Sequence, residues 1–174
     1  MSTENIVLGG GCFWCVEAVF DLMDGVISTT SGYAGGIAPN PTYKEVSGGL
    51  TGHAEVVKVE YDTDTVSLEA VLDLFFQVHD PTTPNRQGAD VGSQYRSIIL
   101  YTTEEQGLRV DDYLQGIRGD FTRPIVTQLK PLDRFYPAED YHQKYFKKNP
   151  GAGYCRAVVA PKVEKAARKL GMTG

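Results

Sequence analysis

The sequence is poor in the residues that build cages and staples: three cysteines, three histidines and one tryptophan in 174 residues. Three cysteines are an odd number and too few for a disulfide scaffold, which suits a reducing compartment. A zinc site would need two ligands beyond one cysteine pair. Cys155, His53, His79 and His142 form no second paired motif, so no metal is expected. Long apolar runs are missing as well. Nothing approaches the roughly 18 apolar residues of a membrane span, and the start MSTENIVLGGG lacks the basic and apolar regions of a signal peptide. The expectations are a cytoplasmic protein with no membrane partner. A basic excess is lacking too. The net charge of −5 gives no electrostatic reason for nucleic acid as a partner. Repeats, low-complexity tracts and long linkers are absent. What remains, 41% hydrophobic and 22% charged, is an ordinary globular composition whose length suits one catalytic domain over residues 1–174.

Hydrophobic periodicity then predicts the elements. NIVLGG (5–10) reads as a strand. FWCVEAVFDLMDG (13–25) reads as a helix ended by Gly25, with Trp14, Val16, Val19, Phe20 and Met23 at helical spacing. VISTTSGYAGG (26–36) alternates like a strand, PNPTY (39–43) breaks it, and HAEVVKVEYD (53–62) is the clearest strand in the chain. TVSLEAVLDLFFQVHD (65–80) is an amphipathic helix with Ser67 as N-cap. The segment 81–92 shows no periodicity. A strand (93–103), a helix (104–119), a strand (123–132), a turn-rich or helical segment (137–150), a strand CRAVVAP (155–161) and a closing helix (162–171) follow. The first six elements spell βαββαβ. The expected fold class is α+β, a two-layer sandwich with a ferredoxin-like core and C-terminal extensions.

Two of the three cysteines and the only tryptophan share one stretch, LGGGCFWCVEAVF (8–20). Cys12 stands where strand and glycine run give way to helix. A helix N-terminus stabilises an anion, and a thiolate there can be lowered into a reactive range. Phe13 and Trp14 offer an apolar wall, and Cys15, one turn on, comes near Cys12. A tight turn with a core tryptophan is the plain alternative. Covalent haem attachment wants His after the second cysteine, where Val16 stands. A thioredoxin-like motif wants Trp before the first, whereas Trp14 precedes the second. A nucleophilic thiol with a second thiol in reach is what remains.

GCFWCVEAVF also resembles the active-site signature of the peptide methionine sulfoxide reductases, type A. PTYKEVSGGLTGHAEVVKVEYD and HDPTTPNRQGADVGSQYRSIILY are similar to the family's second and third blocks, and YHQKYF and YCRAVVAPKV to further segments. The resemblance runs from about Ile6 to Lys162. It implies reduction of methionine S-sulfoxide, free or within proteins, as a repair of oxidised proteins. Thioredoxin is the implied reductant, with no metal or organic cofactor.

The resemblance also assigns roles. Cys12 matches the nucleophile, Glu55 the buried acid, and Tyr43 and Tyr95 the hydroxyl donors to the sulfoxide oxygen. Asp90 matches a polar residue near the site, and Phe13 and Trp14 the cleft for the S-methyl group. Glu55 faces away from Ala54 and Val56 on its strand, and apolar surroundings there would raise its pKa. Many family members have Gly at position 15 and a resolving cysteine in a C-terminal tail. Here the final EKAARKLGMTG has none, which leaves Cys15 and Cys155 as resolving thiols, with Cys15 preferred. A general thiol peroxidase and a redox-sensing module without turnover are the rival readings.

Overall fold

Alternation sets the centre of the molecule. In a computed structural model, which describes residues 2–172, Ile6 and Leu8 enter one buried cluster while Val7 enters another on the opposite side of the sheet. Strand β1 (Thr3–Gly9) leads into α1 (Phe13–Phe20), β2 (Val26–Ala34), α2 (Tyr43–Ser47), β3 (Ala54–Asp62) and α3 (Leu68–Val78). A two-stranded ribbon, β4 (Arg86–Gln87) with β5 (Asp90–Val91), occupies the segment without periodicity. Then come a 3₁₀ turn (Ser93–Tyr95), β6 (Ile98–Tyr101), α4 (Glu104–Ile117), β7 (Gln128–Pro131), β8 (Phe135–Pro137), α5 (Tyr145–Lys148) and α6 (Ala160–Lys169).

The six-stranded sheet has the order β7-β6-β1-β3-β2-β8. All its pairings are antiparallel except β6 with β7. Helices α1, α3, α4 and α6 send Phe13, Val19, Leu72, Phe75, Val110 and Ala166 into the larger cluster against Ile6, Val57, Val59 and Ile99. The far face carries a small cluster of Val7, Ala34, Ala54, Val56, Ile98 and Leu100, with Leu132 and Phe135 packed on it. The fold is thus mixed α+β. Among the described residues no helix is long and apolar enough to cross a membrane.

Several expected boundaries move, each for a local reason. Helix α1 stops at Phe20, and three-residue turns from Val19 to Leu22 and Phe20 to Met23 carry the chain to Gly25, which has φ +95°. Helix α2 is unexpected, yet TYKE holds a complete capping box: Glu45 N–H donates to Thr42 Oγ1 and Thr42 N–H to Glu45 Oε1. Ser67 caps α3 as expected, accepting from Ala70 N–H at 3.0 Å. The strand expected over 93–103 shrinks to Ile98–Tyr101, because the left-handed Gly92 starts a 3₁₀ turn.

The expected strand CRAVVAP is helical instead. Cys155–Val159 forms a π-turn that runs directly into α6. Cys155, Val159, Val163, Ala166 and Leu170 make one helical stripe toward the core. Pro161 suggested a break, but its missing N–H costs nothing in the first turn, and the wider turn before it relieves the clash of its ring.

Candidate active site

At the junction of β1 and α1 one glycine is required by contact and another by backbone conformation. A Cβ at Gly9 would stand 2.9 Å from the Glu55 carbonyl oxygen and 2.8 Å from Ile98 Cγ2. Gly11 has φ +95°, a conformation that side chains resist. The turn ends at Cys12, the extended N-cap of α1, whose carbonyl accepts Cys15 N–H at 3.1 Å. The thiols of Cys12 and Cys15 lie close enough to shift each other in opposite directions, and all three cysteines are free and buried.

Glu55 lies on β3 on the face of Val57 and Val59 and is 1% exposed. One carboxyl oxygen, Oε1, accepts the Phe13 N–H at 3.1 Å, which ties the acid to the first residue of α1. Burial raises its pKa to about 8, with Asp90 and Cys15 adding and the Phe13 N–H opposing. The carboxyl is therefore protonated at neutral pH, as its position in the strand pattern suggested.

Tyr43 and Tyr95 close in from two other elements, the first residue of α2 and the 3₁₀ turn before β6. Burial and then the Glu55 charge push both phenols up, and Cys12 acts on both, so thiol, acid and hydroxyls share one neighbourhood. Glu139 fixes this side of the site. One of its oxygens accepts Tyr33 OH at 2.8 Å and the other Tyr43 N–H at 2.9 Å. Asp90, on β5, accepts the Tyr154 hydroxyl at 2.5 Å, and Tyr154 also helps to lower the Cys15 thiol.

Rings enclose the sequence pair Phe13–Trp14. Phe13 is fully buried, 5.6 Å from Tyr33, 6.4 Å from Tyr43 and 5.1 Å from His142 between ring centres. Trp14 is half-buried, stacked on Tyr145 at 3.7 Å and 7°, with its indole N–H donating to His142 Nδ1 at 3.0 Å.

Two expectations change here. Phe13 offers no open surface in this arrangement, because the rings around it close over it; Trp14 alone of the pair keeps an accessible face. Nor is the Cys12 thiol lowered. Burial pushes it well up, Cys15 and the nearby Glu55 add to that, and together they outweigh the helix N-terminus. Cys12, Lys162 and Tyr154 pull Cys15 down. Cys155 sits apart in the π-turn, fully buried, its pKa raised by burial and by Cys15.

Sequence reasoning brought together Cys12, Cys15, Glu55, Tyr43, Tyr95 and Asp90, and missed Glu139, His142, Tyr145 and Tyr154. The tyrosines and histidine lie in YHQKYF and GYCR, segments with no periodicity to announce them. Among the described residues no group of three His, Cys, Asp or Glu side chains is placed to hold a metal ion.

Known proteins bear on this geometry in three ways. The sequence profile of the family described as "Peptide methionine sulfoxide reductase" matches residues 4–172. The peptide methionine sulfoxide reductase MsrA of Nautilia profundicola is 57% identical over 91% of this chain and 91% of its own. Methionine sulfoxide reductase A of Corynebacterium diphtheriae superposes with a TM-score of 0.84 at 39% identity, over 89% of this chain and 78% of that one. Mxr1 of Saccharomyces cerevisiae, solved in complex with Trx2, superposes with a TM-score of 0.61 at 26% identity, over 82% of this chain and 84% of that one. With a profile that spans nearly all of it and relatives this similar along most of their length, the chain belongs to the peptide methionine sulfoxide reductase A family and is an oxidoreductase of methionine sulfoxide.

Proposed function

We propose that the protein reduces methionine S-sulfoxide to methionine with Cys12 as nucleophile and Glu55 as acid. The observation that carries this is the buried Glu55 carboxyl, its pKa raised to about 8 by that burial, bonded to the backbone next to Cys12. The buried thiol pair supplies the nucleophile. Cys15, the more readily ionised of the two thiols, takes the Cys12 proton as a thiolate and leaves the charge on Cys12 without exporting it from the site. That thiolate attacks the sulfoxide sulfur while Glu55 gives its proton to the oxygen. Tyr43 and Tyr95 donate to the same oxygen and stabilise the charge that develops there. The substrate sulfur gains two electrons and leaves as methionine, and Cys12 loses two and becomes a sulfenic acid.

Trp14 serves as the apolar wall for the S-methyl group, Phe13 backs it, and Asp90 holds Tyr154 at the rim. Cys15 then attacks the Cys12 sulfur; the S–S bond forms, the S–O bond breaks, and the oxygen leaves as water. Cys15 acts on the Cys12 thiol whereas Cys155 is shifted by Cys15 and not by Cys12, which favours Cys15 as the resolving residue. Thioredoxin returns the pair to thiols by exchange, attacking at Cys12, the less buried sulfur. The yeast relative solved with Trx2 supports that partner. We further read the chain as one catalytic domain of the cytoplasm. The antiparallel order β6-β1-β3-β2 supports the ferredoxin-like description of its core.

The test uses reduced protein, methionine S-sulfoxide and no reductant. Close to one methionine per protein and a Cys12–Cys15 link on peptide mass mapping are expected, with no methionine from Cys12→Ser. A Cys12–Cys155 link would reassign the resolving thiol. Turnover by Cys12→Ser would overturn the mechanism.

A further inference from the structure

Glu17 is a second buried carboxyl, 1% exposed on α1 and one turn beyond Trp14, and the chemistry above does not use it. Its Oε1 accepts the backbone N–H of Lys144 at 2.6 Å across 127 residues of sequence. Its Oε2 has no hydrogen-bond partner, and neither has the buried Ser31 hydroxyl; the Lys144 ammonium stands 4.0 Å from Oε2. Lys144 itself is left-handed, with φ +54°, a conformation that a lysine holds only under external constraint. That ammonium also contacts Asp21 at 2.8 Å and Thr29 Oγ1.

The constrained residue lies between two that touch the tryptophan. His142, two positions before, accepts the Trp14 indole N–H, and Tyr145, one position after, stacks on its ring. Gln143 is pinned separately to the Ser31 backbone, accepting its N–H at 3.0 Å and donating to its carbonyl at 2.9 Å. The segment thus meets the sheet at Gln143 and meets α1 at Glu17. Only the second contact is on the helix that carries Trp14.

We propose that Glu17 is a positioning residue for the substrate wall: by holding the left-handed turn at Lys144 it seats His142 and Tyr145 against Trp14. This rests on the reading that Trp14 faces the substrate. Burial raises Glu17 to about 7, opposed by Lys144 and reinforced by Asp21. Lys144, Lys147 and Asp21 are the charged groups that line the cleft beside it. The strength of the clamp therefore changes within the physiological range: the carboxylate above pH 7 is the better acceptor for Lys144 N–H.

Trp14 is the only tryptophan, so protein emission reads its packing alone. Glu17→Ala should shift emission to longer wavelength. It should also raise KM for methionine S-sulfoxide about tenfold with kcat within about twofold, the sign of lost uniform binding. Glu17→Gln keeps an oxygen for Lys144 N–H and should bring both values back toward wild type. Wild-type emission should titrate near pH 7, and that transition should vanish in Glu17→Gln, while any change from His142 at lower pH remains. Unchanged emission and KM in Glu17→Ala would overturn the proposal. If that variant does not fold, a transition near pH 7 that survives in Glu17→Gln overturns it instead. The emission readings need no turnover, so a wild-type protein that formed no methionine would sink the proposed reaction and leave the role of Glu17 still decided.

Discussion

Replacing Glu55 with glutamine separates two consequences of one buried acid. The amide keeps an oxygen for the Phe13 N–H and nearly the same volume, so the turn into α1 should survive. What it cannot do is release a proton. With a pKa of about 8, roughly nine in ten wild-type molecules hold the proton at pH 7. Loss of a positioned general acid costs about 10²–10⁴-fold, or roughly 3–5 kcal/mol of barrier. The assay is the first-turnover rate of methionine formation in reduced protein, by rapid quench, from pH 6 to 10. The ratio of the wild-type rate to the variant rate should fall about tenfold per pH unit above 8 as Glu55 loses its proton, because thiol ionisation is common to both. The variant should be slow throughout, without the Glu55 titration. Stability should move the other way. A carboxyl raised from 4.5 to about 8 stabilises the fold fully below pH 4.5, and the contribution is lost as pH rises through 8. By pH 9 the wild type carries a cost of roughly 5 kcal/mol that the variant escapes, so Glu55→Gln should melt higher than wild type at pH 9. A first-turnover rate within about threefold of wild type at pH 7, or a rate ratio that stays constant through pH 8, would refute the reasoning.

Other changes test the remaining parts. Cys15→Ser should still give one methionine per protein but hold Cys12 as a sulfenic acid, trapped by dimedone and identified by mass; Cys155→Ser should cycle with thioredoxin like wild type. The reverse pattern would move the resolving role into the π-turn. Tyr43→Phe and Tyr95→Phe should each slow the first turnover by about tenfold or more with little change in melting temperature, and a rate unchanged in the double variant would remove the phenols from the oxygen site. Tyr154→Phe removes a hydroxyl that Asp90 accepts and that lowers the Cys15 thiol. It should raise the pH at which Cys15 reacts with a small alkylating reagent, and an unchanged profile would show that the hydroxyl does not tune that thiol.

Much of the site was written in short-range pattern. The strand–glycine–helix junction put Cys12 at an N-cap, and the period of two in HAEVVKVEYD turned Glu55 toward the face of Val57 and Val59, where burial keeps its proton. The same local reading erred where two local signals disagreed. In CRAVVAP the β-branched run and Pro161 suggested a strand and a stop, yet Cys155, Val159 and Val163 already carried a helical stripe.

Composition and spacing by themselves determined which thiols were available and where the chain turned; the family expectation came from the resemblance of whole sequence blocks. Only tertiary structure decided that Cys12 is held protonated, that Phe13 is enclosed, and that Glu139, His142, Tyr145 and Tyr154 belong to the site. The physical reason is range. A cap or a periodic face is set by neighbours within one or two turns, so the sequence displays it. The proton on Cys12 depends on water removed by the whole fold, and the bond from Trp14 to His142 joins residues 128 apart, a closure that no local pattern encodes.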